Sequence, residues 1–203
     1  MTRARVDALL DAAEAEFADA GIERGSLRKI MRGAGADPGA VHYYFGGRQA
    51  LAEAVLARIL VPINAGRLEL LDQAEATGEP TLTDLVEALV RPDIETAHVL
   101  DARSPGRARL IGAVYLRPAD FVEATVAAHF APVAEAFRRH LEAALPHVPF
   151  PVISWRVRWC VFGTLGALLA HESAPFERDP DDLVGELVRT LSAALAAAAR
   201  PEG

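Results

Sequence analysis

Apolar positions along the chain recur at three and four residues, and the period never shortens to two over any sustained run. Val6, Leu9, Leu10, Ala13 and Phe17 form one such stripe, which predicts an amphipathic helix from Thr2 to Ala20 that Gly21 ends. Leu27, Ile30 and Met31 repeat the spacing over a shorter run, from Leu27 to about Ala34, with Ser26 as its cap. A third short run spans Pro38 to Phe45. Asp37 is its expected N-cap, Pro38 stands where a missing N–H costs nothing, Val41 and Phe45 lie four apart, and Gly46-Gly47 stops it. From Arg48 the stripe lengthens through Leu51, Val55, Leu56, Ile59 and Leu60. Leu68, Leu70 and Leu71 carry it to about Ala76, with a kink expected at Pro62.

Thr77-Gly78-Glu79-Pro80 breaks the pattern. Beyond it the spacing predicts a helix from Thr81 or Thr83 to Leu89 that ends near Arg91-Pro92, and a short one from Asp93 to Leu100. Further helices are expected over Arg107 to Leu116 and over Ala119 to Leu145, the latter bent at Pro132. A proline-rich link, Pro146 to Pro151, precedes the most apolar stretch, Val152 to His171. Its uninterrupted part, Trp159 to Ala170, is far short of the ~20 residues a membrane span needs, so none is expected. Gly163, Gly166 and Ala167 would let another helix approach closely. Asp179-Pro180-Asp181-Asp182 caps a last helix from Leu183 to about Arg200. Two strongly apolar helices closing a chain need cover, and either a second copy of the chain or the chain's own body would supply it.

Composition agrees with an all-α chain. Half the 203 residues are apolar, aromatics are few, and no Asn-Gly hairpin occurs. One cysteine, Cys160, leaves no pair for a disulfide or a zinc site. With no signal peptide apparent, the expected compartment is the cytoplasm. The net charge of −7 is unevenly spread: residues 1–60 are neutral, and residues 61–203 carry all of it. Within Ile22–Arg48 five basic residues face two acidic ones, so the basic excess lies on the short helices.

A helix, a glycine-containing turn and a second short helix make the helix-turn-helix pattern, although spacing alone leaves an ordinary αα-corner open. Residues 9–51 resemble the DNA-binding domain of the TetR family of transcriptional regulators. The likeness rests on Leu9-Leu10, Ala12-Ala13, Phe17, Gly21, Ser26-Leu27-Arg28-Lys29-Ile30, Ala34-Gly35, Gly39-Ala40-Val41-His42-Tyr43-Tyr44-Phe45, Arg48 and Leu51. The C-terminal part resembles the PsrA-like, fatty-acid-responsive subgroup through Phe45-Gly46-Gly47-Arg48, Arg109-Leu110-Ile111-Gly112 and Tyr115-Leu116-Arg117-Pro118. The resemblance implies a three-helix helix-turn-helix domain over residues 1–47. Residues 48–203 would form a helical domain that binds a ligand and dimerises through its last two helices.

It also implies roles for single residues. Ser26 would contact phosphate and Arg28 a base. Pro38, Gly39 and Ala40 would form the base-facing nose, Tyr43 would enter the groove, and His42 and Arg48 would hold phosphates. The sequence departs from the family at His42, where tyrosine is usual, and at Ala40 and Leu27, where threonine is. Met31 replaces alanine and Asp37 replaces serine. A small molecule would sit between the family's fourth and eighth helices. The candidate liners are Leu68, His98, Tyr115, Phe121, Phe130, Phe137, Trp155, Trp159 and Phe162, each of which reads first as plain core, and Arg109 is the cation singled out beside them. Arg67, Arg109, Arg117 and Arg156 lie among apolar positions. A buried arginine needs a partner, either an acyl carboxylate or phosphate or an internal Asp or Glu.

Nothing supports catalysis. The six histidines are scattered, Ser154 and Ser173 lack a nucleophile elbow, and no phosphate loop or dinucleotide fingerprint occurs. No metal and no cofactor are expected. The expectation is a homodimeric repressor that binds a pseudo-palindromic double-stranded DNA operator and is released by a small apolar effector, an acyl chain or acyl-CoA. The alternative is a dimeric helical small-molecule-binding protein that no longer reads DNA.

Overall fold

The computed structural model describes residues 2–101, 110, 120–169 and 179–197, and among these the secondary structure is entirely helical. The helices are α1 (Thr2–Ala20), α2 (Leu27–Gly33), α3 (Ala40–Phe45), α4 (Arg48–Thr77), α5 (Leu82–Asp101), α6 (Asp120–Ala144), α7 (Phe150–Leu169) and α8 (Pro180–Ala196). The helix expected over Arg107 to Leu116 lies outside the described residues, Leu110 excepted. No described helix is long and apolar enough to cross a membrane. The chain divides into two compact units. One comprises residues 1–61 and 99–127, the other residues 62–98 and 128–203, and α4 contributes to both, the division falling at Val61 and Pro62.

In the first unit α1 buries the stripe expected of it, Leu9, Leu10, Ala13 and Phe17. Leu51, Ala52, Val55, Leu56, Ile59 and Leu60 of α4 are buried as well, and α2 and α3 each add one fully buried residue, Ile30 and Val41. Arg58 of α4 ties this unit to α1 by donating to the buried Glu14 and, at 2.8 Å, to Asp11.

The second unit is built around Leu71, Leu85, Leu89, Ile94, Val133, Phe137, Leu141, Ile153, Val188, Leu191 and Leu195. Cys160 belongs to this core, and burial pushes its thiol up to about 11. Asp179 caps α8 by accepting from the Asp181 N–H at 2.9 Å, with Pro180 just inside the helix.

α5 departs from the sequence expectation. A proline inside a helix removes one backbone bond and costs ~3 kcal/mol, so the helix was expected to end there. Instead it runs unbroken through Pro92 to Asp101. The neighbouring stretch of α4 explains this. Gly66 leaves space for the proline ring: a Cβ at that position would lie 3.3 Å from the Cβ of Pro92. Arg67 then donates from Nε to the carbonyl of Leu89 at 3.0 Å, in the turn that the proline disturbs.

Arg67 is wholly buried, and all three of its nitrogens are engaged. Nη1 donates to Asn64 Oδ1 at 2.8 Å and Nη2 to Asp93 Oδ2, while the Phe130 ring lies 5.5 Å from the guanidinium carbon. Asn64 in turn donates to the carbonyl of His129 at 2.8 Å. Removing one member of a buried pair costs ~3–5 kcal/mol, whereas replacing both by apolar residues is close to neutral. Arg67→Ala should therefore lower the urea midpoint sharply, by about that free energy. The Arg67→Met, Asp93→Leu double variant should recover most of the loss in the same unfolding measurement.

Candidate nucleic-acid interface

The path from α1 to α3 is set by short-range chemistry. Gly21, at φ +82°, ends α1. Gly25 then passes so close to Phe17 that a Cβ would lie 2.6 Å from the ring. Ser26 is in extended backbone and caps α2, its Oγ accepting from the Lys29 N–H at 3.4 Å. The C-terminus of α2 closes in a Schellman arrangement. The Ala36 N–H donates to the Met31 carbonyl at 2.8 Å, the Gly35 N–H donates to that of Arg32 at 3.2 Å, and Gly35 is left-handed.

The entry to α3 corrects the expectation. The helix begins at Ala40 rather than Pro38, and Asp37 is not its cap; Gly39 holds that position with no side-chain hydrogen bond. Asp37-Pro38-Gly39-Ala40 is a type II turn, with Gly39 at φ 99°, ψ −10° and the Ala40 N–H donating to the Asp37 carbonyl at 3.0 Å. Proline suits the second position of such a turn, and glycine the third, where φ is positive. Gly46, at φ 84°, stops α3 with its N–H on the His42 carbonyl.

The result is a six-residue helix with one buried side chain, Val41, and an outward surface of Pro38, Gly39, His42 and Tyr43. Tyr43 is 82% exposed, which is unusual for an aromatic of its size, and meets Tyr44 edge to face at 4.9 Å. The Tyr43 N–H donates to the Gly39 carbonyl, so the smooth corner and the aromatic lie one helical turn apart. Arg28 and Arg32 are exposed on α2. Arg48 folds back and donates from Nη1 to the carbonyls of Ile22 and Glu23, at 3.3 and 3.5 Å. It thereby braces the link between α1 and α2.

Pro38, Gly39, Ala40, His42 and Tyr43 thus share one element and its turn, with Ser26 and Arg28 at the start of α2. Glu16 was not singled out in the sequence. It accepts from the Ser26 N–H at 2.9 Å and pairs with Lys29 at 3.6 Å, with its side chain only 11% exposed. A charged residue ten positions before its partner gives no periodic signal.

The described candidate ligand residues fall in both units. Leu68 and Phe130 pack half-buried against the second unit's core, and Phe121 is half-buried in the first unit. Trp155, Trp159 and Phe162 stand on the outside of α7, at 65%, 55% and 36% exposure. The side chain of His98, and all of Arg109, Tyr115 and Arg117, lie outside the described residues. Arg67 has its internal partner in Asp93, and Arg156 donates to the carbonyls of Leu195 and Ala197 at the end of α8. Among the described residues no cluster of His, Cys, Asp and Glu is arranged to hold a metal ion.

Residues 9–55 match the family described as "Bacterial regulatory proteins, tetR family", and residues 87–198 match "Tetracyclin repressor-like, C-terminal domain". No curated protein matches the chain. Similar solved structures include a TetR family transcription regulator from Marinobacter aquaeolei, 18% identical, covering 95% of this chain and 96% of that one at a TM-score of 0.65. The transcriptional regulator FadR from Bacillus subtilis, solved in complex with stearoyl-CoA, is 11% identical, with 93% and 98% covered and a TM-score of 0.66. A putative transcriptional regulator from Rhodococcus is 18% identical, with 94% of each chain covered and a TM-score of 0.55.

Nothing lies within 4 Å of a Cβ built on Gly39, so only its left-handed backbone opposes substitution. Gly39→Ala should cost roughly 1–2 kcal/mol, read as a lower thermal midpoint. Gly25→Ala, at a position whose φ is not left-handed but whose Cβ would overlap the Phe17 ring, should lower the midpoint in the same scan as well.

Proposed function

Because this chain belongs to the TetR family of bacterial regulatory proteins, and is thus a DNA-binding transcriptional regulator, we propose that it is a repressor that binds a pseudo-palindromic operator as a homodimer and releases it on taking up a small apolar effector. The observation that carries this reading is the outward surface of α3. A smooth Pro38-Gly39 corner and an 82% exposed tyrosine serve no packing purpose among the described residues. A short helix with such a nose fits the major groove, which is wide enough to admit it. Pro38, Gly39, Ala40 and Tyr43 read base edges. Ser26 and His42 hold phosphates, and the exposed Arg28 reads guanine with its planar fork. Arg48 supports this surface from behind, through Ile22 and Glu23, as well as reaching for phosphate.

Residues 1–47 serve as the reading domain and residues 48–203 as the domain for effector and partner. Dimerisation uses α7 and α8. Trp155, Trp159 and Phe162 form an apolar row at four- and three-residue spacing that water would otherwise cover. The same face of a second copy makes a four-helix bundle with twofold symmetry, which matches a palindromic site. The effector acts by binding one spacing of the two reading heads better than the other, through a shift of α4. An acyl chain or acyl-CoA is the class we favour. The stearoyl-CoA in the similarly folded Bacillus subtilis regulator supports it, as does the resemblance of the C-terminal part to fatty-acid-responsive regulators. We do not place the acidic end at Arg67, whose three nitrogens already donate to Leu89, Asn64 and Asp93.

A mobility shift on the DNA upstream of the protein's own reading frame tests the proposal. A specific complex that weakens steeply with salt is expected. Binding no tighter than to unrelated DNA, with a small molecule still co-purifying, would instead favour the ligand-binding protein that no longer reads DNA. Tyr43→Ala should reduce operator affinity by roughly 5- to 150-fold, the ~1–3 kcal/mol of a good base contact, without changing the oligomeric state. Trp159→Arg should give a folded monomer by light scattering and lose operator binding with it.

A further inference from the structure

The three cations in the body of α2, Arg28, Lys29 and Arg32, are not equivalent. Among the described residues neither Arg28 nor Arg32 has an acidic partner, whereas Lys29 lies 3.6 Å from Glu16 Oε2. The other oxygen of the same carboxylate, Oε1, accepts the Ser26 N–H at 2.9 Å. Glu16 is therefore fixed by a charge-assisted bond to the backbone at the start of α2, and its side chain is only 11% exposed. Its neighbour Phe17 holds Gly25 by close contact from the same turn of α1. Two adjacent residues of α1, one charged and one apolar, thus set where α2 begins.

The geometry points to Glu16 as a positioning residue that decides which cations of α2 reach DNA: it keeps Lys29 off the phosphates and leaves Arg28 to read. This inference rests on the DNA-binding function proposed above. A pair with Lys29 57% exposed is weak on its own. A largely buried carboxylate at a fixed place is nonetheless screened less than a surface one, and it opposes any phosphate that Lys29 approaches. The effect is on selectivity. Phosphate contacts are indifferent to sequence, so withdrawing one lowers non-specific affinity more than operator affinity.

The test is a salt titration of binding to operator and to unrelated DNA. Glu16→Gln keeps an oxygen for the Ser26 N–H and removes the charge. The slope of log affinity against log salt should steepen by about 0.9, one added phosphate, and the ratio of operator to unrelated affinity should fall several-fold. In a Lys29→Gln background the same substitution should change neither quantity, because the effect passes through Lys29. Lys29→Gln alone should leave the wild-type slope unchanged, which tests the idea even if the Glu16 variant folds poorly. An unchanged slope in Glu16→Gln overturns the inference. So does an equal change when Lys29 is already absent, or a slope that falls by about 0.9 in Lys29→Gln alone. A wild-type protein with no preference for its operator would instead defeat the DNA-binding reading.

Discussion

A guanidinium closed off from water must be answered by acceptors, or the helix that carries it will not stay where it is. Arg67 meets that requirement with a carbonyl from α5, an amide oxygen from its own helix and a carboxylate from α5. The demand is geometric as much as energetic. A buried pair contributes little net stability over an apolar equivalent, but it tolerates few alternative alignments, so it fixes the register of α4 against α5. The match is incomplete: among the described residues, Asp93 Oδ1 is buried with no hydrogen-bond partner. Burial pushes the Asp93 carboxyl above its ordinary value, opposed by the charge and hydrogen bond of Arg67. α4 is fastened by an arginine in each unit, Arg58 in the first and Arg67 in the second.

The reading surface follows another logic. Few of its side chains are buried; it is shaped by turns. Gly21, Gly35, Gly39 and Gly46 all take positive φ, and each ends or begins one of the helices α1, α2 and α3. Between them α2 and α3 contribute two fully buried side chains, Ile30 and Val41. Such a small apolar contribution could not hold α2 and α3 in place without help from α1 and the start of α4. Phe17 against Gly25, Glu16 on the Ser26 N–H and Arg48 on the Ile22 carbonyl supply that help, and they leave the outer surface of α3 uncommitted to packing.

Much of this was legible in the chain because it depends on neighbours in sequence. The stripe of α1, the Ser26 and Asp179 caps and the glycine stops need only a few adjacent residues to be recognised. The exceptions have specific causes. Asp-Pro-Gly serves as well for a type II turn as for a capped helix, and the positive φ of Gly39 selects the turn. Pro92 reads as a stop until Gly66 and Arg67, some 26 positions away, accommodate it. Arg67 stood out as a cation among apolar residues, but its choice of Asp93 depends on the fold. In α7 apolar residues occupy every side, so the period could not tell outward Trp155 and Trp159 from inward Ile153 and Cys160.

The solitary cysteine has a practical side. Its sulfur lies in the second unit's core and its thiol titrates near 11, so it reacts poorly at neutral pH. The wild-type chain is in effect already a cysteine-free background for attaching probes. A thiol placed at an exposed position of α3 would take a spin label or fluorophore alone, and in a dimer two such labels would act as a ruler across the pair of reading heads.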